Sequence, residues 1–494
     1  MVAQNANTRF VIVSNRGPVT FSRDESGERG YSRGAGGLVT ALNAVSRRQE
    51  DAVWIASAQS EEDARVAEES FEEGTPYEVE GLKVVLVEHA EEAYDLMYKR
   101  LANPLLWFVQ HGLYDLPYVP ALGDDTRRAW EEGYILVNKN FAEAVARVLE
   151  SSEGDEEPVI LVHDYQLYMV PQFLRERLKG DAFVSFFVHI PWPDLEWWRV
   201  LPRYVREGIL KSLLEADIVA FHTKGYARNF VRTARGVLGV EADEAKGVIH
   251  PGEGREVWVR PYPISIDPDE FEELAQGEEV IKEEGSIKNL PGKLLLRVDR
   301  MDLSKNIVRG FQAYDRMLER YPKIRGEVTF LARCQPSRGD IPEYARYAED
   351  IQETADEVNQ KYGTGSWEPI VLSMEDNFPL SVAAYKNYDA LLVNAVRDGM
   401  NLIAKEAVVV NEKNGVLVLS ENAGAYEELG EHALTVNPFD LDEQADALYE
   451  AVTMPEAERR HKAEALKKTL LDNTIEEWAE AQLKDIADHK EQCK

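Results

Sequence analysis

Eleven short apolar runs, separated by longer stretches of helical pattern, decide what this chain can fold into. They are Phe10 to Val13, Val53 to Ala56, Lys83 to Val87, Val159 to Val162, Phe183 to Val188, Ile218 to Phe221, Lys293 to Val298, Val328 to Ala332, Ile370 to Ser373, Ala390 to Val396 and Val416 to Ser420. Runs of this length suit buried strands and are too short for a membrane span. Helical patterns lie between them, such as Asn138 to Leu149 and Val308 to Tyr321. The alternation predicts an α/β protein with parallel sheets and crossover helices. At 494 residues the chain is too long for one core, so two domains are expected. Arg260 to Pro268 places three prolines in nine residues ahead of the acidic stretch Glu270 to Lys288, and two doubly wound halves are expected to meet there. The last helical region, Ile475 to His489, carries Trp478, Ala481, Leu483 and Ile486 and is expected to pack back across that boundary.

Composition narrows the function classes. The 56 basic and 89 acidic residues leave a formal net charge of -33, which disfavours nucleic acid and anionic membrane as partners because a phosphate backbone needs a basic face. The same field repels phosphorylated small molecules at long range. Any phosphate site must therefore be built from local Arg, Lys and main-chain N–H groups. Only Cys334 and Cys493 occur, so neither a disulfide framework nor a zinc-ligand spacing is available and no metal is expected. The polar start, Met1 to Thr8, runs straight into a short apolar segment, which suits neither a signal peptide nor a membrane span. A cytoplasmic protein with small-molecule substrates is the expectation, and homo-oligomerisation stays open.

Local clusters at the ends of the apolar runs carry the chemistry. Arg397-Asp398-Gly399-Met400-Asn401-Leu402, followed by Glu406, stands where a buried strand gives way to a helix. Open α/β sheets hold anionic ligands at such places. Gly399 lets a ligand approach the main chain, Asp398 accepts from hydroxyls, and Glu406 can reach a diol such as a ribose. Arg300 and Lys305, five residues apart after the first strand of the second half, can clamp a diphosphate and stabilise its charge as it leaves. The bland alternative pairs them with Asp299 and Asp302. Arg338, in Pro336-Ser337-Arg338-Gly339-Asp340, can bind a second phosphate or cap a turn. In the first half, Ser14-Asn15-Arg16-Gly17-Pro18 and the glycines Gly34, Gly36 and Gly37 can form a phosphate nest. His163-Asp164-Tyr165-Gln166 and His189-Ile190-Pro191 each follow a strand of the same half.

Taken in order, these pieces resemble the trehalose-6-phosphate synthase family of retaining glycosyltransferases. The resemblance runs from about residue 9 to about residue 480. It is carried by Ser14-Asn15-Arg16, Ala35-Gly36-Gly37-Leu38, Tyr98 with Trp107, His163-Asp164-Tyr165, His189-Ile190-Pro191, Tyr262-Pro263-Ile264, Arg300 to Lys305, Ser337 to Asp340, Arg397 to Leu402 with Lys405-Glu406, and Val436-Asn437-Pro438. It implies a GT-B architecture, two Rossmann-like doubly wound domains facing across a cleft. Residues 1–262 would form the acceptor domain, with a helix at about 475–490 packing back on it, and residues 263–474 the nucleotide-sugar domain. By motif match, Arg300 and Lys305 hold the donor diphosphate, Gly399, Met400, Asn401 and Leu402 approach phosphate and sugar, Asp398 contacts sugar hydroxyls and Glu406 the ribose. Gly36 and Gly37 close over the donor. Arg16, Tyr98 and Arg338 take the acceptor phosphate, Trp107 its ring, and Asp164 and His189 stand near the reacting sugars.

The implied reaction moves glucose from a UDP- or GDP-glucose donor to glucose 6-phosphate, with no cofactor or metal. A double-displacement glycosidase needs two carboxylates roughly 5 Å apart across the bond. Cations on a leaving diphosphate point instead to front-face substitution. Two departures from the family pattern bear on the acceptor: Trp54-Ile55-Ala56-Ser57-Ala58 stands where a second tryptophan is usual, and Gln166 where histidine is common. They leave open another phosphorylated acceptor on the same scaffold, an amino-cyclitol phosphate or glycerol phosphate. A catalytically silent phosphosugar-binding regulator is the alternative from another class.

Overall fold

In the computed structural model the described residues are 9–24, 26–33, 42, 52–73, 76–151, 157–179 and 182–492. They divide into two compact units, Met1–Ile264 with Glu476–Lys494, and Ser265–Ile475. The glycine-rich stretch with Gly34, Gly36 and Gly37, most of Ser151 to Glu157, and Cys493 lie outside the described residues.

The first unit is built on a ten-stranded sheet. In chain order its described strands are β1 (Phe10–Ser14), β2 (Val19–Arg23), β3 (Arg29–Arg33), β4 (Val53–Ser57), β5 (Tyr77–Val79), β6 (Leu82–Val87), β7 (Val159–His163), β8 (Phe183–Val188), β9 (Ile218–Phe221), β10 (Glu241–Asp243), β11 (Val248–Gly252) and β12 (Arg255–Pro261). The large sheet runs β10-β11-β12-β9-β8-β7-β1-β4-β6-β5, while β2 and β3 form a separate hairpin. From β12 through β6 every pairing is parallel. Strands β1, β4, β7, β8 and β9 are buried along their whole length, as a sheet covered by helices on both faces requires. From β1 the chain winds outward through β4 and β6, and from β7 it winds the other way through β8 and β9. The direction reverses between β1 and β7.

The second unit repeats the plan on a smaller scale. Strands β13 (Lys293–Arg300), β14 (Val328–Gln335), β15 (Ile370–Ser373), β16 (Ala390–Val393), β17 (Val416–Ser420) and β18 (Leu434–Val436) form an all-parallel sheet in the order β15-β14-β13-β16-β17-β18. The reversal here lies between β13 and β16. Helix Ile307–Arg320 buries Ile307, Phe311, Tyr314, Met317 and Leu318, the spacing of a single apolar stripe. That stripe packs with Phe330 of β14 and Leu448 in one core.

Several strands escaped the apolar-run reading. The β2–β3 hairpin, β5 and β18 are short or largely exposed, and the β10–β12 extension mixes buried and exposed positions. Strands β13 and β14 run two and three residues past their apolar runs, because Asp299, Arg333 and Cys334, which follow, are themselves buried in the ladder. Helix Ile475–Gln492 belongs to the first unit from Glu476 onward, and there its buried face is Trp478, Ala479, Gln482, Ile486 and His489 rather than one including the exposed Ala481. Asp485 receives the Tyr262 hydroxyl at 2.7 Å and pairs with Arg260 at 3.3 Å, while the His489 ring meets Trp258 at 4.9 Å.

One glycine marks where packing leaves no room. A Cβ at Gly310 would stand 2.4 Å from Nη1 of the fully buried Arg297. Arg297 is held by Asp299 at 2.8 Å and by the Lys305 carbonyl at 2.9 Å, so it cannot swing aside without breaking both. Gly310→Ala is expected to lower unfolding stability by about 1–3 kcal/mol. Urea denaturation measures this, and a midpoint equal to wild type would show that the guanidinium does not fill the space.

Candidate active site

In the second unit the reversal between β13 and β16 opens a crevice at the carboxyl ends of the strands, where such sheets take ligands. After β13 a tight turn, Leu303–Lys305, is shaped by Asp302, which is fully buried. Its Oδ1 accepts from the Ser304 main-chain N–H at 3.0 Å and the Ser304 hydroxyl at 2.9 Å. Arg297, reaching from inside β13, ties the Lys305 carbonyl to the same turn. Lys305 is thereby aimed across the crevice, and its Nζ stands 2.5 Å from Oδ2 of Asp398, which follows β16. Asn401, in the left-handed region at φ 76°, donates to that same oxygen at 3.0 Å. The loop from Asp398 to Leu402 is braced from behind. Gly424 N–H donates to the Asp398 carbonyl at 3.1 Å, Ala425 N–H to the Met400 carbonyl at 2.8 Å, and a Cβ at Gly424 would collide with the Gly399 carbonyl at 2.0 Å. Helix Ile403–Val410 then begins, and the first N–H groups of any helix have no partner within it.

Glu406 lies one turn into this helix. Burial pushes its carboxyl up to about 7, opposed only by the Tyr385 hydroxyl at 3.5 Å. Its neighbour Lys405 is fully buried and paired with Glu428 at 2.6 Å, with burial drawing its pKa down. Burial likewise raises the Asp299 carboxyl, against the lowering influence of Arg297. Arg300 ends β13 exposed. The two carboxylates suggested as ordinary partners for Arg300 and Lys305 are engaged by other cations: Asp299 by Arg297, and Asp302 by Arg338 at 3.0 Å. Arg338 thus sits in the second unit, with φ 47° and the Tyr344 hydroxyl 2.5 Å from its guanidinium.

The first unit presents a different chemistry at the reversal between β1 and β7. Past β1, Arg16 is exposed and Asn15 is buried against the Tyr94 hydroxyl at 3.1 Å. Tyr94 stacks on the half-buried Tyr98, with centroids 5.7 Å apart. Past β7, Asp164 holds φ 76° and ψ 168°, a conformation that a side chain rarely adopts and that marks stored strain. Its N–H is fixed to the Phe187 carbonyl at 2.8 Å, and its Oδ1 accepts from the His189 main-chain N–H at 3.2 Å. The His189 ring lies on Phe187 at 4.4 Å, with burial, then His222 and His163, holding its pKa well below the ordinary histidine value. Trp107 is only 6% exposed and stacks on His111 at 4.0 Å.

The structure therefore gathers Lys305, Asp398, Asn401 and the Gly399–Leu402 main chain at one reversal, with Glu406 in the helix that follows. It brings Asp164 beside His189 at the other. His222 was not singled out in the sequence, yet it follows β9 as His189 follows β8 and lies 5.0 Å from it. Arg397 opens the motif that contains Asp398. Its Nη1 is buried without a hydrogen-bond partner beside Asp398.

Two Rossmann-like units, each with polar side chains at the reversal of its sheet, define a glycosyltransferase of the GT-B class. Residues 8–488 match glycosyltransferase family 20, and the chain belongs to that family. It is 33% identical over 491 residues to the UDP-forming alpha,alpha-trehalose-phosphate synthase of Pichia angusta, covering 96% of this chain and 98% of that one. With the corresponding synthase A of Dictyostelium discoideum it shares 32% identity over 485 residues, and this chain spans 62% of that protein's length. Among solved structures, an Escherichia coli one bound with UDP-2-fluoro glucose superposes with TM-score 0.81 at 29% identity, over 97% of this chain and 99% of that one. A Burkholderia xenovorans UDP-forming alpha,alpha-trehalose-phosphate synthase in complex with glucose 6-phosphate gives TM-score 0.81 at 28% identity, over 97% and 100%.

The raised Glu406 carboxyl has a consequence for stability. A carboxyl whose pKa rises on folding from 4.5 to about 7 contributes fully below 4.5, and that contribution is lost as pH climbs towards 7. Glu406→Gln removes the loss. Its stability relative to wild type is expected to rise by roughly 1–3 kcal/mol between pH 4.5 and 7. Urea unfolding across that range tests it, and parallel curves would show that Glu406 titrates normally.

Proposed function

We propose that this chain is an alpha,alpha-trehalose-phosphate synthase that transfers glucose from UDP-glucose to the anomeric hydroxyl of glucose 6-phosphate, with retention at the donor carbon. The observation that carries the reading is the Lys305–Asp398 pair at the reversal of the second sheet, 2.5 Å apart and each about an eighth exposed. A cation and a hydroxyl acceptor fixed side by side match the two adjoining parts of a nucleotide sugar, its diphosphate and its hexose. The relatives named above, matched over most of the chain, give the substrate pair.

In this reading Arg300 and Lys305 hold the diphosphate, the main chain from Gly399 to Leu402 and Asn401 line the phosphate and sugar, and Glu406 takes the ribose. Asp398 reads hexose hydroxyls, and Gly36 and Gly37 cover the donor. The acceptor phosphate meets Arg16, Tyr98 and Arg338, its ring lies by Trp107, and Asp164 and His189 face the reacting sugars. The bond from the donor's anomeric carbon to phosphate oxygen breaks as the acceptor hydroxyl bonds to the same face. The hydroxyl proton passes to the departing phosphate, whose growing charge Arg300 and Lys305 stabilise. No protein nucleophile is required. Excluding water from the assembled site limits hydrolysis of the donor.

The test is release of nucleoside diphosphate by the purified protein given UDP- or GDP-glucose with glucose 6-phosphate, glycerol 3-phosphate or no acceptor. Fastest release is expected with UDP-glucose and glucose 6-phosphate. A preference for another acceptor would replace the proposed product, and silence with every pair would leave a binding protein. Lys305→Ala should lower kcat by about 10²–10³ with the thermal midpoint retained; turnover near wild type would remove Lys305 from the chemistry.

A further inference from the structure

His163 closes β7, is 2% exposed, and has no part in the reaction just described. Its ring lies beside Phe187, its ladder partner on β8, and its Nδ1 stands 3.0 Å from Nε2 of His189. Its own Nε2 is buried with no hydrogen-bond partner. The second nitrogen of His189, Nδ1, is not among the buried unpaired atoms, and the main-chain N–H of the same residue donates to Asp164. Burial draws the His163 pKa down to about 3 and holds His189 well below its usual value, so at neutral pH both rings are neutral and share one proton across the contact.

Only two arrangements satisfy that contact. Either His163 donates from Nδ1 and His189 accepts at Nε2, or the reverse. In a neutral imidazole one nitrogen carries hydrogen and the other a lone pair, so the choice at the contact fixes both outer nitrogens. The reverse arrangement would bury an N–H of His163 at Nε2 with nothing to receive it and turn a bare Nδ1 of His189 outward. The forward one buries only an unused lone pair and turns an N–H outward. It also complements Asp164, which when ionised can only accept. A sugar hydroxyl giving its hydrogen to Asp164 still has lone pairs, and a donor is what they need.

We propose that His163 is a positioning residue, its Nδ1–H donating to His189 Nε2 and so fixing His189 in the tautomer that offers Nδ1–H to a substrate oxygen. The catalytic consequence rests on the function proposed above, whereas the tautomer does not.

Nitrogen NMR of the full chain carrying ¹⁵N-histidine decides the tautomer, with His189→Gln identifying the signals of His189. The expected wild-type spectrum has hydrogen on Nδ1 of His189 and none on Nε2. His163→Leu should lower kcat by about tenfold, while His163→Asn, whose amide N–H falls near the lost Nδ1–H, should restore most of it at a similar melting temperature. Hydrogen on Nε2 of His189 in the wild type overturns the proposal, as does a His163→Leu kcat within about twofold of wild type. If the wild type itself transfers no glucose, the functional reading fails and the nitrogen spectrum alone still decides the tautomer.

Discussion

Lys305 and Asp398 come from the two strands between which the second sheet reverses, and their pairing sets what the crevice can bind. Each lies in a mostly dry setting, at 14% and 13% side-chain exposure. A charge in such a place is costly unless paired and hydrogen-bonded. The pair meets that cost through its surroundings: Asn401 supplies a second donor to Asp398, and Arg297 pins the carbonyl of Lys305 itself. Charges so fixed act strongly on a ligand, because low-dielectric surroundings amplify them and no reorganisation is needed. In a chain of net charge -33 the overall field repels anions, so only local cations such as Lys305 could hold one. Several neighbouring cations are committed to protein carboxylates: Arg297 to Asp299, Arg338 to Asp302 and Lys405 to Glu428.

The first unit solves a different problem with the same topology. Three histidines, His163, His189 and His222, stand at the ends of adjacent strands, with ring centroids 5.3 Å apart in the first pair and 5.0 Å in the second. Burial lowers the pKa of His163 and His189, so these two rings are neutral and their contact reads hydrogen-bond direction rather than charge. Beside them Asp164 is a carboxyl group held by a strained backbone that its neighbour Phe187 on β8 helps to fix. One unit is thus suited to gripping a strongly charged group and the other to orienting hydroxyls.

What the sequence revealed follows from which residues must be apolar. Strands buried on both faces, such as β8 and β9, had to be continuous apolar runs, and their bounds were legible to the residue. The apolar runs for β13 and β14 stop short at Val298 and Ala332 because Asp299 and Arg333 are the next residues. Asp299 stays inside by pairing with Arg297, and Arg333 by donating to main-chain carbonyls. The run ending at Val396 erred the opposite way. The strand stops at Val393, and Asn394 leaves the ladder to donate to Gln444 at 2.8 Å. The candidate site was legible as positions, since polar residues at strand ends are visible in sequence. Its wiring was not, because Asp302 takes Arg338 through a contact 36 residues away that no local pattern announces.

Unmet hydrogen bonds in the second unit argue that the crevice is shaped for something other than its own stability. Among the described residues of that unit four side-chain atoms are buried without a partner: Ser265 Oγ at its start, and Arg333 Nε, Asn394 Oδ1 and Arg397 Nη1 near the carboxyl ends of β14 and β16. A buried unsatisfied polar atom costs about 1–3 kcal/mol, so three of them near one edge of the second sheet are a local cost in stability. Arg333 adds to the tension, since burial lowers its pKa and its hydrogen bonds go to Ser373 and to the carbonyls of Glu375 and Asn377. Glu406, held near neutrality by burial, belongs to the same set. Selection for stability alone would replace such groups with apolar ones of similar volume, which is often neutral or favourable. Polar groups left unmet at the same sheet edge as the Lys305–Asp398 pair fit the proposed reading, in which a polar, anionic ligand would supply missing partners and the fold gives up stability to be ready for it.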